Sequence, residues 1–188
     1  MKIYDNRNDM IKELVKPDSK ILEIGVFKGE FAETLHKTNP SILYLVDCWE
    51  NSNICSGNVD GNNVENYNGF SLYNLVKDKL SHYSNIEIIR NYSQNFIPLL
   101  DNNTLDIVYI DGDHSYKGVK RDLELVYPKV KNGGYIMGHD YEMNMNKAKN
   151  YYNFGVKKAV DEFCIKYNVS IIAKAMDGCV SFCISKLH

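Results

Sequence analysis

The chain has no long apolar run. No window approaches the ~20 residues that a helix needs to cross a bilayer, so a membrane-spanning segment is not expected. Residues 1–16, MKIYDNRNDMIKELVK, place acids before any apolar segment could begin; a secretory leader is not expected either, and the expected location is cytoplasmic. An excess of one charge is also missing. The 22 Lys and Arg residues against 24 Asp and Glu leave a formal charge of −2, and no cluster of basic residues supplies the footprint of a nucleic-acid binder. Neither nucleic acid nor a membrane is expected as a partner. Paired cysteine spacing is absent: the five cysteines, at 48, 55, 164, 179 and 183, are odd in number and contain no CxxC, which fits neither a disulfide framework nor a zinc knuckle. Cys179 and Cys183 fall on one face of a predicted strand and read as small core residues. There is no internal repeat and no linker. A length of 188 residues, 44% hydrophobic and 24% charged, suits one domain over 1–188 with a core layer on each side of a sheet.

What is present is an alternation of short apolar runs with stretches of helical period, the mark of strands joined by crossover helices. A helix over Asp5 to Val15 stops before Pro17. Strands are predicted at 20–25, 42–47, 86–90, 105–111 and 134–139, with helices at 29–37, 69–82, 93–100, 115–127 and 155–167. The strands are apolar almost throughout, as in a parallel sheet covered on both faces. In the helix over 115–127, Val119, Leu123 and Val126 form one stripe while Lys117, Lys120 and Arg121 lie on the other side. The end of the chain differs: VSIIAKAM, Asp177-Gly178 and CVSFCISKL spell a β-hairpin. The fold class is therefore α/β, a Rossmann-like, doubly wound, mostly parallel sheet with a C-terminal antiparallel hairpin. Two Asn-rich stretches, 51–68 and 141–153, follow strand ends, where open α/β sheets bind ligands, and are candidate lids.

The first strand runs into LEIGVFKGEF, where Glu23, Gly25 and Gly29 surround the turn into a helix. Glycine there lets backbone approach a ligand, and the free amides of a helix start favour a polar group. A dinucleotide fingerprint wants glycine at 25, 27 and 30; the chain has Gly25, Phe27 and Glu30, which disfavours pyrophosphate. The second strand ends about twenty residues on in Asp47, placed to accept from the hydroxyls of a ribose. Together Glu23 and Asp47 indicate a ribose-containing ligand without phosphates.

The segments ILEIGVFKGEFAETL, LYLVD and LDIVYIDGDHSYKGVKRDLELVYPKVKNGGYIMGHDY resemble the class I S-adenosylmethionine-dependent methyltransferases. Within these the likeness is to the small O-methyltransferases of macrolide sugars and aminocoumarins. It covers about 18–185 and implies a seven-stranded sheet whose last strand is antiparallel. The resemblance further implies that Glu23 and Gly25 line the methionine end of S-adenosylmethionine and that Asp47 holds its ribose. Trp49 is then a candidate wall for the adenine, or else a core residue. Where relatives have Gly-Asp-Ser near the adenine, this chain has Asn91-Tyr92-Ser93, and only Ser93 matches.

The densest chemistry lies in VYIDGDHSYKG, residues 108–118. Asp111 ends one strand and Gly138-His139-Asp140 end the next. Neighbouring strands lie about 5 Å apart, so Asp111 and Asp140 can converge on one cation. Two carboxylates suit a hard divalent ion such as Mg²⁺. In metal-dependent relatives the positions of Asp111, His139 and Asp140 ligate the metal, with an acid or amide where this chain has His139; an imidazole there tolerates Mn²⁺, Fe²⁺ or Zn²⁺ better than Mg²⁺. Relatives place the proton acceptor two or three residues beyond the first metal aspartate, here Asp113 or His114. Histidine titrates near neutrality and suits the role, whereas an acid just before a helix is commonly a cap. The implied reaction is methyl transfer from the sulfonium to a hydroxyl of a small acceptor, a sugar or a phenol. Tyr141, Tyr151, Tyr152 and Phe154 are candidates to line the acceptor pocket, and relatives of this kind often form homodimers. Two rivals stand beside this reading: a nicotinamide-dependent oxidoreductase, and a nucleoside-binding protein of the same fold that has lost catalysis.

Overall fold

A computed structural model describes residues 1–50, 68–143 and 155–187. The candidate lids, and with them Tyr151, Tyr152 and Phe154, lie largely outside the described residues. Their described fringes are regular: Asn68 caps a helix, and 141–143 continue a strand.

The elements follow in the order β1 (Lys2–Tyr4), α1 (Arg7–Leu14), β2 (Lys20–Ile24), α2 (Glu30–His36), β3 (Ile42–Asp47), α3 (Gly69–Leu80), β4 (Ile86–Arg90) and α4 (Ser93–Phe96). A 3-10 turn at Ile97–Leu99 leads to β5 (Leu105–Ile110), α5 (Tyr116–Val126), β6 (Val130–Met143), α6 (Val156–Tyr167), β7 (Ile171–Ala175) and β8 (Cys179–Ser185). Side chains at the caps fix the starts of several helices. Asn6 accepts the amide N–H of Asp9 at 2.9 Å, and Ser115 accepts that of Gly118 at 3.0 Å, each satisfying a donor that the first helical turn leaves free.

Among the described residues, eight strands form one sheet in the order β1-β7-β8-β6-β5-β2-β3-β4. Every pairing is parallel except those of β8, which runs against both β6 and β7, so the hairpin at Asp177-Gly178 is present. The strand not foreseen is β1. Its three residues pair with β7, Lys2 opposite Ala173; a run so short carries no readable period. From β2 the chain winds outward through β3 and β4, then returns to place β5 and β6 on the other side. The crevice at the carboxyl ends of β2 and β5 is thus the switch point where such sheets hold ligands.

Alternation along each strand divides the core. Ile21, Leu43, Leu45 and Tyr109 pack with Met10, Ile11, Phe31, Leu35 and Val76 from α1 to α3 on one face. Leu22, Val108 and Ile136 pack with Val119, Leu123, Val160 and Phe163 from α5 and α6 on the other. The predicted stripe on α5 is buried, and Asp122 is buried beside it, accepting a hydrogen bond from the Ser93 hydroxyl at 2.6 Å. Among the described residues no helix is long and apolar enough to cross a membrane.

Two sequence expectations are corrected. Tyr141 does not face an acceptor pocket: it is buried against Phe182, and its hydroxyl donates to Asp161 at 2.6 Å. Strand alternation at the end of β6 turns it toward α6. Cys183 is a core residue, but Cys179 is only partly buried and its thiol hydrogen-bonds to Asp140.

Candidate active site

The glycine turn after β2 is pressed onto the exit of β5. Gly25 has φ +85°, and a Cβ there would lie 2.2 Å from the carbonyl oxygen of Asp111, so only glycine permits this approach. Gly29 has φ +74° and begins α2, with Val76 and Leu80 of α3 as its neighbours. Its part is to turn the chain, and it lies against the core. Phe27 takes φ 51° where a dinucleotide loop would carry glycine.

Asp47 holds this turn from the end of β3. Its Oδ2 accepts the amides of Val26 and Phe27 at 2.9 and 3.0 Å, and its Oδ1 accepts that of Trp49 at 2.7 Å. A carboxylate has about four acceptor directions, so among the described residues one on Oδ1 is left for a ligand. Trp49 is 2% exposed, packs on Tyr73, and donates its indole N–H to the Phe27 carbonyl at 2.9 Å; it braces the turn from the core. Ser93 turns its hydroxyl inward to Asp122. The neighbouring Tyr92 hydroxyl donates to Oε1 of Glu50, whose Oε2 is buried without a partner among the described residues.

Glu23 is the most isolated polar group in the crevice. It is 1% exposed, and its Oε2 has no hydrogen-bond partner among the described residues. Burial, reinforced by the charges of Asp111 and Asp47 and opposed by Arg7, pushes its carboxyl well above the usual range. Leaving such an oxygen unmatched costs about 1–3 kcal/mol, which marks a place for a donor that a ligand would bring.

Beyond the turn, β5 and β6 deliver the second group of side chains. Ile110 pairs with Gly138, setting Asp111 beside His139 and Asp140. The β6–β8 pairing then slips between Gly138 and Glu142, and Asp140 takes φ 60°, a left-handed conformation that re-aims the side chain. His114 Nε2 lies 3.3 Å from Asp111 Oδ1 and 3.1 Å from Asp140 Oδ2. His139 Nδ1 lies 3.2 Å from the same Asp140 oxygen and 3.8 Å from Asp111 Oδ1. Asp111, His139 and Asp140 each offer a ligand atom within 4.8 Å of the others. Burial opposes a charge on His139, but the bond to Asp140 and the charge of Asp111 outweigh it and hold the imidazole above its ordinary value. Burial likewise raises Asp140, yet the bond from His139 and the nearby His114 bring it below the usual carboxylate range. Asp113 stands apart, exposed, its carboxylate accepting the Ser115 amide at 2.9 Å.

Residues 22–141 match the family described as a methyltransferase domain. The chain belongs to that family. The matched span runs from β2 through the last residues of the crevice, and the family is one of class I S-adenosylmethionine-dependent methyltransferases. A curated relative, an uncharacterized protein of Acanthamoeba polyphaga mimivirus, is 34% identical over 131 residues, 68% of this chain and 53% of that protein; the chain thus spans about half the length of the curated relative it matches. Among solved structures, the O-methyltransferase NovP superposes with a TM-score of 0.66 at 17% identity, covering 97% of this chain and 80% of that one. The N-methyltransferase NodS from Bradyrhizobium japonicum gives 0.65 at 11%, covering 97% and 95%. Aeropyrum pernix fibrillarin, with S-adenosyl-L-methionine bound, gives 0.64 at 12%, covering 95% and 73%. These likenesses are of fold. Membership in the family removes the oxidoreductase rival.

The crevice of the methyltransferase domain fits the methyl donor. The orphaned Glu23 oxygen matches an ammonium, a group that the donor's methionine moiety carries. Two residues in it carried no sequence signal. Arg7 reaches Asp111 from 104 positions away, and Glu50 precedes an Asn-rich run with no motif around it.

Proposed function

We propose that the domain methylates a hydroxyl group of a sugar or another small molecule, with help from a divalent metal. The observation that carries this reading is the meeting of Asp111, His114, His139 and Asp140 at the ends of β5 and β6, directly beside the Gly25 turn. In this reading Glu23 binds the cofactor's ammonium. Asp47, through its remaining acceptor direction, and Glu50 take the ribose hydroxyls. Gly29, Trp49 and Ser93 act behind them, fixing the turn and the floor of the nucleoside site. NovP, an O-methyltransferase by name, lends the oxygen acceptor its support.

S-adenosylmethionine supplies a methyl group on a sulfonium, open to displacement by an oxygen in line with the carbon–sulfur bond. A divalent ion held by Asp111, His139 and Asp140 would lower the pKa of the acceptor hydroxyl and orient it; with an imidazole among the ligands, Mn²⁺, Fe²⁺ or Zn²⁺ suits the set better than Mg²⁺. Nε2 of His114, facing both carboxylates, carries the ring hydrogen that they accept, so the hydroxyl proton is taken up at the other ring nitrogen, Nδ1. Asp140 orients that ring and stabilises the imidazolium that forms. Asp113, occupied with the Ser115 amide, serves the turn. Positioning the two reactants supplies most of the acceleration.

The test is calorimetry with S-adenosylhomocysteine followed by turnover against a panel of hydroxylated acceptors with divalent ions present. Binding with turnover supports the proposal. Binding without turnover across the panel favours the catalytically silent rival, and absence of binding removes both.

A further inference from the structure

Arg7 stands at the exit of β5, its guanidinium shared between Asp111, Asp177 and the Tyr109 hydroxyl. The Asn6 cap begins α1 at Arg7, and β1 ties the segment to β7, so the side chain is carried by regular structure. Its guanidinium lies 4.5 Å over the Phe31 ring in the first turn of α2. Nη1 donates to Asp111 Oδ2 at 3.3 Å, and Nε is 3.8 Å from Asp177 Oδ2. Neither is the parallel two-bond contact that a guanidinium forms with a well-placed carboxylate. The side chain is 28% exposed, and stacking on Phe31 sets the plane of the fork.

The surroundings give that fork a chemical address. Arg7 is near enough to Glu23 for its charge to act on the buried carboxyl, and Asp111, which it touches, is the residue against which Gly25 is pressed. Among the described residues, a carboxyl with an unmatched oxygen and a guanidinium that meets Asp111, Asp177 and the Tyr109 hydroxyl but engages no carboxylate by two parallel bonds together complement an α-amino acid zwitterion. We propose that Arg7 binds the α-carboxylate of the cofactor's methionine moiety while Glu23 takes the α-ammonium. The inference rests on the reading of the crevice as an S-adenosylmethionine site. It makes α1 part of that site and makes Asp111 the resting partner that Arg7 leaves when cofactor arrives.

The experiment compares two ligands that differ at this end. S-adenosylhomocysteine carries the amino acid; 5′-methylthioadenosine has the same nucleoside and sulfur without it. Calorimetry on the whole chain is run for wild type, Arg7→Gln and Arg7→Lys. Loss of a charge-assisted pair predicts that Arg7→Gln weakens S-adenosylhomocysteine about tenfold to a hundredfold, while 5′-methylthioadenosine changes by less than about twofold. Arg7→Lys, which keeps the charge and loses the fork, falls between. Equal losses for both ligands, or no loss for either, overturn the assignment and leave Arg7 as a latch between α1 and the β7–β8 turn. Should Arg7→Gln fail to fold, Arg7→Lys gives the same two-ligand comparison. If wild type binds neither ligand, the cofactor reading itself has failed, an outcome distinct from the others.

Discussion

His114 and Asp140 meet at 3.1 Å across the ends of β5 and β6, with Asp111 Oδ1 at 3.3 Å from the same imidazole nitrogen. An imidazole whose N–H faces two carboxylates is held in one orientation, and the imidazolium formed when its other nitrogen takes a proton is well compensated. His114→Gln is therefore expected to lower kcat by about 10²–10⁴-fold and to leave affinity for S-adenosylhomocysteine unchanged. Steady-state kinetics over a range of pH check this. An unaltered rate and pH profile would move the base elsewhere, with Asp113 the first alternative.

The metal set yields a prediction about ion choice. Calorimetry should show the domain binding Mn²⁺ or Zn²⁺ more tightly than Mg²⁺, because His139 supplies a nitrogen ligand. Asp140→Ala should abolish binding of either kind, and His139→Asp should shift preference toward Mg²⁺. Turnover that persists undiminished in a chelator would exclude a metal from the reaction.

Glu23 links cofactor binding to pH. Burial, with Asp111 and Asp47 adding to it, raises its carboxyl in the free protein, so the proton is held to higher pH than in an ordinary glutamate. An ammonium ligand requires the carboxylate, and binding must expel that proton. Affinity for S-adenosylhomocysteine should rise with pH through the free-state Glu23 value and level off above it, with proton release visible as a dependence of the binding heat on the buffer. Glu23→Gln should remove the slope and weaken binding; a slope that survives in this variant would contradict the role.

Asp122 gives a stability prediction away from the site. Burial raises its carboxyl above the ordinary aspartate value, with the Ser93 bond opposing. The folded state then holds a proton more tightly than the unfolded one, so this contribution to stability is present at low pH and is lost as pH rises from the unfolded value through the folded one. Asp122→Asn keeps a partner for Ser93 without the buried charge. Arg121 Nε, 3.3 Å from Asp122 Oδ1, offsets part of the burial, so urea titrations should show the variant as stable as wild type at low pH and modestly more stable at neutral pH. Greater loss at neutral pH would show the charge to be stabilising.

The helices and seven of the eight strands were legible because apolar period and turn residues agree along the chain. The stripe of Val119, Leu123 and Val126 on α5 and the hairpin at Asp177-Gly178 are examples. β1 was not, since Lys2–Tyr4 has strand structure only through β7. The site was legible where strand ends named it: Glu23, Asp47, Asp111 and Asp140 all fall at the termini of predicted strands. Trp49, Ser93 and Tyr141 show the limit. Each had the residue type for a ligand wall, and only packing reveals that they face Phe27, Asp122 and Asp161.

By itself the sequence determined the layer order of helices and strands, the glycine turn that excludes a dinucleotide loop, and the pairing of two acids at neighbouring strand ends. These are properties of local period and of adjacency in a parallel sheet. Tertiary structure alone decided that Arg7 reaches Asp111, that Glu23 keeps an oxygen without a partner, and that Asp47 spends most of its acceptor capacity on backbone amides. Such facts depend on which groups the folded chain removes from water and which it brings together across a hundred residues, and no short-range pattern encodes them.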